Sequence, residues 1–109
     1  MIARPIKTIS VIGAGSWGTA LARLLALKEF NTRLWAYEQE VAESIQTNHV
    51  NSVYLPNIPL PDSLSATSSL EKALDSTDLL VLAVPSHAMG RILEVMSPYL
   101  SDPIPVTIA

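Results

Sequence analysis

Along the chain the apolar positions alternate between short unbroken runs and a helical spacing. Lys7 to Ile12 is β-branched at Thr8, Ile9, Val11 and Ile12 and nearly uncharged, the pattern of a strand covered on both faces of a parallel sheet. From Ser16 the period changes: Leu21, Leu24 and Leu25 share one helical face, with Arg23 and Lys28 opposite. Thr32 to Tyr37 (TRLWAY) predicts a second strand, and EQEVAESIQTN a second helix whose early acids Glu38 and Glu40 suit its positive end. Leu64 to Ser68 reads as a weak strand, Leu70 to Leu74 as a short helix, and Asp78 to Val84 (DLLVLAV) as a strongly buried strand. Met89, Ile92, Leu93 and Met96 recur at i, i+3, i+4, i+7, which predicts a helix from Ser86 to about Leu100. The closing PVTIA reads as a fifth strand.

Pro56, Pro59 and Pro61 deny the stretch from Asn48 to Asp62 the donors that a helix or a central strand needs. An extended loop of about 15 residues is expected, long enough to suggest a functional or covering role. Strands alternating with helices imply βαβ units, a parallel sheet and right-handed crossovers. The sequence has no repeat of fixed period and no low-complexity tract. The last strand stops without a following helix, as expected of a chain cut short.

Composition narrows the class without changing the architecture. The 109 residues suit one domain, 49% apolar and 16% charged, which is the profile of a packed globule. A net charge of -3 offers no basic footprint, so a nucleic-acid partner is not expected. The absence of cysteine excludes disulfides, thiolate metal sites and cysteine nucleophiles, and no metal site is expected. Arg4 and Lys7 precede an apolar run, yet Gly13, Gly15 and Gly18 interrupt it, which argues against a signal peptide. No run approaches the roughly 18 apolar residues of a membrane span. A reducing, soluble compartment is the expected setting.

The chemistry-bearing feature lies between the first strand and the first helix. Gly13, Gly15 and Gly18 form GxGxxG, the fingerprint of a dinucleotide-binding turn. Gly13 permits the tight turn, Gly15 lets a pyrophosphate approach the backbone, and Gly18 lets the helix pack close to the strand. The helix N-terminus offers free N–H groups to the phosphates, and Ser16 adds a hydroxyl. Trp17 either packs against the loop or contacts the cleft. At the end of the second strand Ala36 stands where an acid usually receives the ribose hydroxyls, no Arg is evident for a 2′-phosphate, and Tyr37 and Glu38 are the candidates for ribose or adenine contact. NAD and NADP both remain open. Pro85 and Ser86 follow the most buried strand, where an open α/β sheet places its ligands; Ser86 also reads as a helix cap. His87 lacks an orienting partner in the sequence and reads as a solvent-facing helix-start residue, and His49 as a loop hydrogen-bonder.

These residues resemble a known family. VIGAGSWGTALA, LWAYEQE, NSVYLPNIPLP and AVPSHAM, in that order, are similar to the N-terminal cofactor domain of bacterial NAD(P)-dependent glycerol-3-phosphate dehydrogenase. The resemblance implies an α/β, Rossmann-type, doubly wound and mainly parallel sheet with flanking helices, forming the N-terminal portion of a two-domain enzyme. Residues 1–109 would be its NAD(P)-binding domain, truncated before a helical substrate domain. The implied reaction is reversible reduction of dihydroxyacetone phosphate to sn-glycerol 3-phosphate, in the cytoplasm and for phospholipid synthesis. Ser16, Trp17, Tyr37 and Tyr54 match the family's cofactor-binding positions. The family's substrate lysine falls after the last residue here, so no catalytic residue is expected within the chain, which alone would be inactive. Other readings compatible with the residues are a free-standing NAD(P) sensor and a related two-domain dehydrogenase for another small carbonyl substrate. A bared apolar face is expected to drive homodimerisation or swapping.

Overall fold

A computed structural model describes residues 5–100 and 104–109. Arg4, which precedes the first apolar run, lies outside the described residues. Five strands, β1 (Thr8–Ile12), β2 (Asn31–Trp35), β3 (Ser65–Thr67), β4 (Leu79–Leu82) and β5 (Val106–Ile108), form one sheet in the order β3-β2-β1-β4-β5, and every pairing is parallel. Helices α1 (Ser16–Leu27), α2 (Gln39–Asn48), α3 (Leu70–Leu74) and α4 (Ser86–Met96) connect them.

The strands sort their side chains by the pleat. Ile9 and Val11 of β1, Leu34 of β2 and Val81 of β4 join Ala22 and Ala26 of α1 and Val41 and Ile45 of α2 in one buried cluster. Ile12, Trp35, Leu80 and Leu82 join Leu70, Ala73 and Leu74 of α3 and Met96 of α4 in the other. Successive strand residues thus bury opposite faces, which is why β1 and β4 carry no charge. Ser10, the exception on β1, is fully buried but satisfied by the Thr77 hydroxyl at 2.6 Å and by the Ala73 carbonyl.

Two helices differ from the periodicity reading. On α1 the buried residues are Gly18, Thr19, Ala22 and Ala26, while Leu24 is 49% exposed. Close approach of α1 to the sheet selects small side chains, and Leu21 and Leu25 pack only at its flanks. On α4 only Met96 is fully inside, and Leu93 is exposed. The helix also ends at Met96 rather than Leu100, because Pro98 sits in a 3₁₀ turn over Ser97–Tyr99.

The proline-rich segment forms the expected loop. Leu60 plugs it into the first core cluster, and the Arg23 guanidinium donates from α1 to the Pro59 carbonyl at 3.0 Å.

Candidate functional site

The site begins with the turn after β1. Gly13 has φ +120°, and a Cβ there would stand 2.4 Å from the Ala83 carbonyl oxygen. Gly18 is constrained by space alone, since its Cβ would lie 1.8 Å from the Gly13 oxygen. Gly15 is different in kind: no atom lies within 4 Å of where its Cβ would be, so protein packing does not require glycine there. The open space beside Gly15 belongs to the cleft. The helix begins its hydrogen bonding with Thr19 N–H to Gly15 O at 3.0 Å, which leaves the N–H groups of Ser16, Trp17 and Gly18 without intrahelical acceptors. The Ser16 side chain is exposed, and no side-chain cap closes the helix end.

A cleft of about 920 Å³ runs over this turn and the carboxyl ends of β1, β2 and β4. Gly13, Gly15, Ser16, Trp17 and Gly18 form its floor and near wall. Tyr37, Glu38, Tyr54 and Pro85, the remaining residues singled out from the sequence, line it as well. Trp17 is 60% exposed and stands on the cleft wall rather than buried under the loop. Ala36 is buried, and Tyr37, 83% exposed, meets Trp35 edge-on with ring centroids 6.2 Å apart.

Glu38 is the N-cap of α2, yet its side chain caps nothing. Its carboxylate instead accepts a hydrogen bond from the Tyr54 hydroxyl, tying the loop to the end of β2. That bond, ahead of desolvation and the negative charges of Glu38 and Glu40, raises the Tyr54 phenol above its ordinary value of 10.0. The raised value favours the neutral phenol, so the contact is intact below pH 10 and is lost as pH climbs past the folded-state value. In a protein carrying Tyr37→Phe and Tyr99→Phe, Glu38→Gln is expected to lower the tyrosinate absorbance midpoint. An unmoved midpoint would mean the bond is not formed.

Ser86 does not cap α4: the N-cap is Pro85, with no side-chain cap bond, and Ser86 is the exposed first helical residue. Proline at the cap leaves Ser86 inside the first turn, where its hydroxyl is misplaced for capping. His87 is exposed at the same helix start. His49 ends α2 in the left-handed conformation, accepts from Leu60 N–H through its backbone at 2.8 Å, and faces the Asp62 carboxylate 3.5 Å from Nε2. It stays in the loop.

Sequence reasoning missed two residues. Arg91 of α4 is the one basic side chain on the cleft wall among the described residues; it escaped notice because no motif marks it. Arg33 is not a counterpart, since it donates to the Lys72, Ala73 and Asp75 carbonyls at the end of α3. Asn51 is fully buried in the loop and donates to both the Ala14 carbonyl and the Thr19 hydroxyl at 2.9 Å. Its only sequence signal was its place at the head of the NxxYLP stretch. Among the described residues no group of three potential metal ligands occurs, and no helix is long and apolar enough to cross a membrane.

A parallel sheet wound on both faces, with a glycine turn and an uncapped helix N-terminus at its carboxyl edge, defines a Rossmann-type domain. The sequence model for the N-terminus of NAD-dependent glycerol-3-phosphate dehydrogenase matches residues 8–109. The glycerol-3-phosphate dehydrogenases [NAD(P)+] of Halorhodospira halophila and Geobacter sulfurreducens are each 51% identical to the chain, over 85% and 86% of it. The chain spans only 28% of the length of each. The crystal structure of the Coxiella burnetii glycerol-3-phosphate dehydrogenase superposes with a TM-score of 0.89 at 36% identity, covering 95% of this chain and 32% of that one. This chain therefore belongs to the NAD-dependent glycerol-3-phosphate dehydrogenase family, of which it carries the N-terminal part. An arogenate dehydrogenase of Synechocystis, 20% identical with a TM-score of 0.73, shares the fold alone.

Proposed function

We propose that this chain binds NAD or NADP in the cleft as the cofactor domain of an enzyme that reversibly reduces dihydroxyacetone phosphate to sn-glycerol 3-phosphate. The observation that carries the reading is Gly15, where a Cβ would enter open cleft and nothing else, beside a helix N-terminus with unsatisfied N–H groups. Such a cradle fits a diphosphate, and the cleft volume suits a ligand of dinucleotide size. In this reading the amides of residues 15–18 hold the diphosphate, with the Ser16 hydroxyl beside them. Tyr37, Glu38 and Tyr54 face the adenosine end, while Trp17 and Pro85 wall the cleft. When bound, the cofactor supplies the hydride; the chain's own groups bind and orient it. Metabolically, the proposal places the parent enzyme in the cytoplasm, supplying glycerophospholipid synthesis.

The residue that protonates the substrate is assigned to the part of the relatives that this chain does not span, since the Tyr54 hydroxyl, the proton donor with a bonded partner on the cleft wall among the described residues, is committed to Glu38 at the adenosine end. Titration of the chain with NADH and NADPH is expected to show binding, and added dihydroxyacetone phosphate no turnover. Failure to bind either nucleotide would remove the reading, and rapid turnover would overturn the division of labour. We extend the proposal to a homodimer joined through the exposed Leu93 of α4 and Val106 and Ile108 of β5. Light scattering on the same sample tests this, a concentration-independent monomer being the contrary result.

A further inference from the structure

The proline-rich loop does more than cover the cleft, because one of its side chains reaches the phosphate turn from behind. Asn51 has no exposed surface, and three of its hydrogen bonds are made inside the protein. Nδ2 donates to Ala14 O and to Thr19 Oγ1, both at 2.9 Å, while Oδ1 accepts the Tyr54 N–H at 3.0 Å. The amide has one consistent orientation, since a carbonyl can only accept and a backbone N–H can only donate. The partners lie 37 and 32 residues away in one direction and three in the other.

The bond to Ala14 has a geometric consequence. The peptide joining Ala14 to Gly15 is trans, as are all peptide bonds described, so its C=O and N–H point in opposite directions within one plane. Holding the carbonyl inward toward Asn51 therefore turns the Gly15 N–H outward, on the side where a Cβ would find open space. No backbone carbonyl of the described residues takes that N–H. Glycine has little conformational preference of its own, and without the pin this plane would be free to rotate.

We infer that Asn51 is a positioning residue: by gripping the Ala14 carbonyl it fixes the Gly15 N–H in the direction of a diphosphate, and by gripping Tyr54 it sets the loop in the same register. This rests on the cleft being a dinucleotide site. The Tyr54 hydroxyl has its own tie to Glu38, so the adenosine end of the cleft keeps a hydrogen bond that does not pass through the Asn51 amide.

The test compares ADP with adenosine, which lacks the diphosphate, as probes of the protein and of its Asn51→Ala and Thr19→Val variants. Loss of an aligned amide contact to a charged phosphate should weaken ADP about tenfold in Asn51→Ala and leave adenosine within about twofold. Thr19→Val, which keeps the Ala14 bond, should bind ADP as the parent does. An equal loss for both probes, or no loss, would make Asn51 a loop anchor only and overturn the inference. Should Asn51→Ala fail to fold, the unsubstituted protein still decides: the Gly15 amide should exchange rapidly with solvent when free and become protected and shifted by ADP in NMR spectra. A Gly15 amide indifferent to bound ADP sinks the inference. Absence of any ADP binding to the parent protein would instead sink the reading of the cleft itself.

Discussion

Gly18→Ala is expected to lower the melting temperature by about 10 °C or more. The added Cβ would lie 1.8 Å from the Gly13 oxygen and 3.3 Å from the Ala83 Cβ. A backbone oxygen cannot swing aside as the tip of a side chain can, so α1 must move off the sheet. Alanine would gain at most about 1 kcal/mol over glycine in the helix, whereas forced overpacking costs about 3 kcal/mol. The clash wins. Against a total stability of roughly 5–15 kcal/mol, the difference is visible in a thermal melt followed by circular dichroism. A melting point equal to the parent's would show that α1 and β1 are not packed this closely.

Gly15→Val is expected to do the reverse, removing NADH binding by at least about a hundredfold while the fold stays intact. The backbone at Gly15 is ordinary, with φ -72° and ψ -172°, so a β-branched residue meets no strain. Valine is a poorer N-cap than glycine, a cost of about 1 kcal/mol. Its methyl groups would occupy the open space that a diphosphate needs in order to reach the helix N-terminus. A hundredfold loss corresponds to about 2.7 kcal/mol, of the order expected for losing charge-assisted backbone bonds. Calorimetric titration beside a melt separates the two effects. Unchanged affinity would detach the cleft from any diphosphate. Together the two substitutions distinguish glycines required by the protein from the one required by its ligand.

Much of this arrangement was legible beforehand. The uncharged runs around Val11 and Val81 announced strands buried on both faces, and the spacing of Gly13, Gly15 and Gly18 located the turn. The leucines of α1 misled, because a helical stripe records which residues share a face but not which face lies nearest the sheet. Small residues won that position, and Leu24 was left outside. Ser86 misled for a related reason: a serine near a helix start suggests a cap, but Pro85 had already taken the place. Arg91 carried no local signal, and Asn51 only its place at the head of the NxxYLP stretch.

Local order was determined by the sequence itself, because β-branched runs, helical spacing, prolines and glycines act on a backbone within about one turn of themselves. Tertiary structure alone decided which ends meet. The order β3-β2-β1-β4-β5 sets the carboxyl ends of β1, β2 and β4 side by side, and the loop folds back so that Asn51 reaches Ala14. Contacts of that kind join residues dozens of positions apart and depend on how the sheet is wound, a global choice that no neighbouring residues encode.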